Sequence, residues 1–225
     1  MQRLNERFTS ADRQRVAAAV AQAEARTNAE IVPAIATTSG RYDRAEDLVG
    51  LWTAVALLVL VWSSWHVELP EPNGWEEPAW AWQLAALVAS VIIGFAAGAA
   101  AATKIDGLRR AFVSSAQRHD ETWGKAVRLF HSQLVSRTAG RTGVLVYVSL
   151  FERTAAIVAD DAVLAKLGQQ AIDDLCRTLV DDIKRDGPIA ALSATIARLG
   201  ERLAAPFPAS APPANELADA LILLD

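Results

Sequence analysis

Cysteine is almost missing from this chain, with Cys176 the single one in 225 residues. One thiol forms no internal disulfide and no thiolate metal cage, so disulfide scaffolds and zinc ribbons are excluded. An excess of positive charge is missing too. The 22 Lys and Arg are outnumbered by 26 Asp and Glu, for a formal net charge of −4, which offers nothing global to a phosphate backbone and argues against nucleic-acid binding. The common catalytic fingerprints are also lacking: there is no G-x-S-x-G, P-loop, H-E-x-x-H or dinucleotide-binding pattern, and no nucleophile has an evident neighbouring base. The last absence is local. Between Ala45 and Thr103 there is no Lys or Arg, while six of the seven tryptophans fall between Trp52 and Trp82.

That cation-free stretch holds two apolar runs. Residues 48–65 (LVGLWTAVALLVLVWSSW) are 18 without a charge, and residues 82–102 (WQLAALVASVIIGFAAGAAAA) are 21. At about 1.5 Å rise per residue, helices of these lengths cross most or all of a ~30 Å hydrocarbon core. Gly94, Gly98 and Ala102 recur every fourth residue, a spacing that allows close helix contact. Between the runs lies HVELPEPNGWEEPAWA, whose prolines and Asn73-Gly74 break any helix and whose tryptophans suit a headgroup zone. The pair therefore reads as a transmembrane hairpin rather than as two buried helices, since roughly 40 uncharged helical residues would need a larger surrounding core than the rest of the chain provides. Glu68, Glu71, Glu76 and Glu77 lie in the connection, whereas Arg41, Arg44, Lys104, Arg109 and Arg110 flank the outer ends. The charge bias places both termini in the cytoplasm. The first apolar run begins only at Leu48, so no cleavable signal peptide is expected.

The flanks read as one interrupted domain. Thr9 followed by Asp12 predicts a capped helix with Val16, Ala19, Val20 and Ala23 at helical spacing, continuing to about Arg26. A strand over residues 30–36 follows; its Pro33 lacks an N–H and predicts an edge strand or a bulge. One helix and one strand make no core, so the strand must pair beyond the hairpin. A helical region over about residues 107–138, a strand pair at 144–150 and 154–159, a helix from Asp160 and Asp161 to about Arg185, and a helix over 189–203 supply the partners. The run at 221–224 reads as either strand or helix. The fold class is α/β, a small mixed sheet flanked by helices. The expected organisation is residues 1–47 and 104–208 as two parts of one domain, 48–103 as the hairpin and 209–225 as a tail.

The segments FTSADRQRVAAAVAQAEARTNAEIV, RTAGRTGVLVYVSLFERTAAIVAD and LAAPFP with a later NEL together resemble the TPM domain family, named for thylakoid, photosystem-associated and nematode receptor-associated members. The pattern E-x-x-T-x-x-E-I-V, carried by Glu24, Thr27, Glu30, Ile31 and Val32, and T-G-V-L-V-Y-V-S-L-x-E-R from Thr142 to Arg153 carry the likeness. The resemblance implies an α/β/α sandwich, a membrane tether and auxiliary roles beside membrane complexes. It also implies acid phosphatase activity in some members and divalent-metal binding without such activity in others. A hairpin inserted inside the domain is similar to a bacterial inner-membrane subgroup. Where many members have a glycine-rich stretch after the second hairpin strand, this chain has Ala159-Asp160-Asp161-Ala162, a departure that weakens transfer of a metal or phosphatase site.

Two candidate sites emerge. Asp160 and Asp161 join a strand to a helix, where ligands collect in α/β folds; with Glu30 and Glu152 they form a candidate oxygen site for Ca²⁺ or Mg²⁺. A helix cap is the plainer reading, because Ca²⁺ takes about six to eight oxygens and only two are adjacent. Arg137, Thr138, Arg141 and Thr142 form a candidate phosphate or anionic-lipid site, against a solvated helix C-terminus as the simpler reading. His119 and His131 are too far apart for a shared helical metal face, and Cys176 sits at helical spacing with Ile172 and Leu179 as a core residue. The expected function is that of a membrane-anchored, non-catalytic accessory or assembly factor whose partners are the lipid bilayer and a membrane protein. A divalent-dependent phosphatase of low activity and an anionic-lipid-binding module are the alternatives.

Overall fold

The computed structural model describes residues 4–64, 80–209 except 134, 136, 137 and 139, and 220–225. In chain order the elements are α1 (Leu4–Arg7), α2 (Ser10–Glu24), β1 (Ile31–Ala36), α3 (Asp43–Ser64), α4 (Trp80–Lys104), α5 (Asp106–Ala111), α6 (Ser115–Ser132), β2 (Val144–Ser149), β3 (Thr154–Ala159), α7 (Asp161–Leu167), α8 (Gln169–Asp186), α9 (Pro188–Ala204) and β4 (Ile222–Leu224). They divide into two compact units, Met1–Gly40 with Ala116–Asp225, and Arg41–Ser115.

The first unit is a four-stranded sheet of order β3-β2-β1-β4. β1 is parallel to both β2 and β4, and β3 returns antiparallel to β2. Because strand side chains alternate between faces, Ile31, Ile35, Val144, Val146, Ala155 and Ile157 pack with residues of α2, α8 and α9, while Val32, Ala34, Leu145, Tyr147, Ala156 and Val158 pack with Ala126, Leu129 and Phe130 of α6. Helices thus cover both faces, as a largely parallel sheet requires. β1 precedes the two apolar helices in sequence and the other three strands follow them, so the sheet is assembled from both flanks. The run at 221–224 resolves as a strand beside β1, which brings part of the expected tail into the sheet.

Three local expectations are corrected. β1 is a central strand, not an edge. Glu30 and Ala36 bond toward β2, which by alternation turns the Pro33 nitrogen to the β4 side; pairing with β4 begins only at Ala34 and Ile222, so the missing N–H costs no ladder bond. The helical region before β2 is divided into α5 and α6. The helix after Asp160 is broken at Gly168, whose φ of 78° is readily open to glycine and interrupts helical bonding. The cap at Thr9 is as expected: its hydroxyl accepts from Asp12 N and its N–H donates to the Asp12 carboxylate, a complete capping box.

The second unit is dominated by α3 and α4, which run antiparallel, with Gly50 against Phe95 and Gly98, and Ala54 against Gly94. A Cβ at Gly98 would lie 1.7 Å from Thr53 Oγ1, and one at Gly94 would lie 2.7 Å from Ala54 Cα; only glycine permits this approach. Thr53 Oγ1 is 2.9 Å from Gly94 O across the interface and 2.8 Å from Val49 O on its own helix. The outer surfaces are apolar and open, with Trp82 80% and Leu60 65% exposed. Arg44–Ser64 and Ala81–Lys104 are long and apolar enough to cross a membrane.

Candidate functional site

The candidate carboxylates fall at opposite ends of the sheet. Asp160 follows β3 directly, and its backbone N–H donates to Gly143 O (2.9 Å) while its carboxylate accepts from Gly143 N (3.3 Å). Glu30 precedes β1 at the same end, where its carbonyl accepts from Val144 N, and is 4% exposed. Glu152 lies in the turn between β2 and β3, a full six-residue strand away. Asp161 opens α7 on the exposed side. Among the described residues no three His, Cys, Asp or Glu side chains gather as a metal site. The arrangement therefore does not fit the four-carboxylate cation site. Asp160 precedes α7 without making a side-chain cap bond. Burial, opposed by the Gly143 N–H bond, raises the Asp160 carboxyl above its usual range.

The candidate anion group is also used internally where it is described. Thr138 Oγ1 accepts from Thr142 N at 3.0 Å, and Thr142 Oγ1 donates to Asn28 O at 3.1 Å. Both threonines are buried. Arg141 is exposed and holds a φ of 48° in the turn before β2; Arg137 lies outside the described residues, as do His66 and the NEL segment at 215–217. His131 packs edge-on against Phe130 with ring centroids 5.6 Å apart.

One polar cluster among the described residues is one that sequence reading did not assemble. Glu152, 1% exposed, receives Ser39 N at 2.8 Å, Gly40 N at 3.2 Å and Thr38 Oγ1 at 3.2 Å on Oε1, and the Ser149 hydroxyl on Oε2. Ser39 Oγ donates to Ser149 Oγ at 2.9 Å. Since that proton is committed, the Tyr147 hydroxyl, 2.9 Å from Ser39 Oγ, is the donor of its pair. The order Tyr147 to Ser39 to Ser149 to Glu152 ends on a carboxylate. Burial pushes the Tyr147 hydroxyl up to about 12. The signal was present in the strand sequence Tyr147-Val148-Ser149, but the partner Ser39 is more than a hundred residues earlier.

The residues of the pattern E-x-x-T-x-x-E-I-V are also used internally. Glu24 Oε1 accepts from Ile31 N at 2.9 Å, fastening α2 to β1. Thr27 Oγ1 donates to Phe207 O at 2.7 Å and accepts from Ala29 N at 3.2 Å, and Asn28 N donates to Phe207 O. The first pattern thereby joins the LAAPFP segment directly.

A separate cleft of about 500 Å³ lies beside β3, lined in part by His119 and Trp123 of α6 and Asp173, Cys176 and Arg177 of α8. Cys176 Sγ donates to Ala155 O at 3.2 Å and accepts from Ile157 N–H; burial pushes its thiol up to about 11. The sulfur meets the outward backbone groups of the edge strand and is not a poised nucleophile.

No protein-family model and no curated protein matches the sequence. Among solved structures, the chain is similar to the BA42 protein of the psychrophilic bacterium Bizionia argentinensis, determined by NMR, with a TM-score of 0.57 and 15% identity over 99% of each chain. At that identity the likeness concerns the fold.

Proposed function

We propose that this chain is a TPM-like domain anchored in a bacterial inner membrane by its own hairpin, acting as a non-catalytic accessory or assembly factor for a membrane complex. The observation that carries this reading is the internal use of the motif residues: Thr27 and Glu152 bond backbone groups more than a hundred residues away, Glu24 holds Ile31 N, and Ser149 bonds the Glu152 carboxylate. A reaction centre instead presents such groups to substrate. The membrane half rests on the open apolar faces of α3 and α4, and the cation bias of the flanks supports cytoplasmic termini.

Crosslinking of the full-length protein in native membranes tests the partner. The reading predicts a reproducible membrane-protein adduct and a membrane complex that is depleted when the chain is deleted. Deletion that leaves every membrane complex unchanged contradicts it. In parallel, hydrolysis of a chromogenic phosphate with Mg²⁺ or Ca²⁺ is expected to stay at background. Divalent-dependent turnover abolished by Asp160→Asn with Asp161→Asn would instead support the phosphatase reading.

A further inference from the structure

Glu152 occupies a position whose consequence lies outside the sheet. Its Oε1 takes two successive backbone N–H groups, those of Ser39 and Gly40. Consecutive N–H groups aimed at one anion form a nest, and here the anion is supplied by the chain itself from 112 residues downstream. Thr37 is already held by its N–H to Leu224 O, and its carbonyl accepts from Phe151 N. The segment is confined from a second direction as well: a Cβ at Gly40 would lie 2.8 Å from Glu121 Cγ of α6. Gly40 is the last residue of the front half of the sheet unit, and α3 starts at Asp43. Only Arg41 and Tyr42 lie between them.

We infer that Glu152 is a clasp that fixes the backbone at the point where the chain leaves the sheet unit. With the clasp closed, the Ser39 and Gly40 amides are held on one carboxylate oxygen, two residues before the start of α3. With it open, the last backbone bonds before the exit are those of Thr37, and Ser39 stays tied only through its hydroxyl to Tyr147 and Ser149. The carboxylate suits the task because a charged acceptor with several donors binds more strongly than a neutral one. Removing any water competition by burial strengthens the same bonds.

Hydrogen exchange of the full-length protein in detergent micelles or nanodiscs, read at single-amide resolution, tests the inference. In the unsubstituted protein the Ser39 and Gly40 amides are expected to exchange as slowly as the β1 amides, although they follow the end of the strand. Glu152→Gln keeps the shape but removes the charge and turns one acceptor into a donor facing Ser149. It should speed exchange at Ser39 and Gly40 by about ten- to a hundredfold and leave Val146 and Ile157 unchanged. Glu152→Asp, which keeps the charge but withdraws it by one methylene, should give the same local pattern with less disturbance of packing. Unprotected Ser39 and Gly40 amides in the unsubstituted protein would overturn the clasp. So would unchanged protection in both variants, or acceleration spread equally over β1, β2 and β3, which would make Glu152 a general stabiliser of the sheet.

Discussion

Gly143 shows how much a single position can fix. A Cβ there would lie 2.2 Å from Val135 O, so the turn before β2 closes on the strand only because no side chain intervenes. Gly143→Ala is expected to destabilise the sheet unit by about 3 kcal/mol, in the range for forced overpacking, measurable as a lower urea midpoint with an unchanged slope. Tyr147 supplies a test with a sign. Its folded-state pKa is raised from 10.0 to about 12, with burial as the main cause. Its contribution to stability is therefore fully present below pH 10 and lost as pH rises from 10 toward 12. Tyr147→Phe should flatten that part of the pH profile, at a cost near neutrality of about 1 kcal/mol from the Ser39 oxygen left without its donor. At this scale the sequence was readable where the cause is local. Thr9 and Asp12 stand three residues apart and form the expected capping box. Glu152 and Ser39 are 113 apart, and nothing in either neighbourhood announces the other.

Whole elements were readable in kind and less so in their limits. The strands of the β2–β3 hairpin and both long apolar helices occupy nearly the residues that the apolar runs indicate. Breaks were missed where they depend on backbone conformation, as at Gly168, or on the length of a partner strand, as for Pro33 beside the three-residue β4. The spacing of Gly94 and Gly98 was read as a contact surface, and α3 is packed against it. Two substitutions test that surface. Gly98→Leu, whose side chain must occupy space held by Thr53, should separate α3 from α4 and abolish a disulfide crosslink engineered between positions 57 and 91. Thr53→Val, which removes the hydroxyl shared with Gly94 O, should weaken helix association by only about 1 kcal/mol and leave the crosslink in place.

For the whole molecule, the strand pairing carries the account. β1 finds β2 and β4 across some hundred intervening residues or more, and two helices suited to a bilayer occupy that interval. The need for distant partners was visible in the sequence because a lone helix and strand cannot bury a core. The strand order was not, since it depends on contacts between segments far apart in the chain. The candidate cation site failed to gather for the same reason: Glu152 and Asp160 belong to opposite ends of β3, a relation set by sheet register. If the helices cross and return, both flanks of the sheet share one side of the membrane. Single cysteines at positions 14, 71 and 166, introduced in a Cys176→Ser background, test this most directly when treated with a membrane-impermeant maleimide in spheroplasts. The account predicts labelling of position 71 in intact spheroplasts, and labelling of positions 14 and 166 only after permeabilisation. Labelling that places position 71 on the same side as 14 and 166, or that separates 14 from 166, would contradict it.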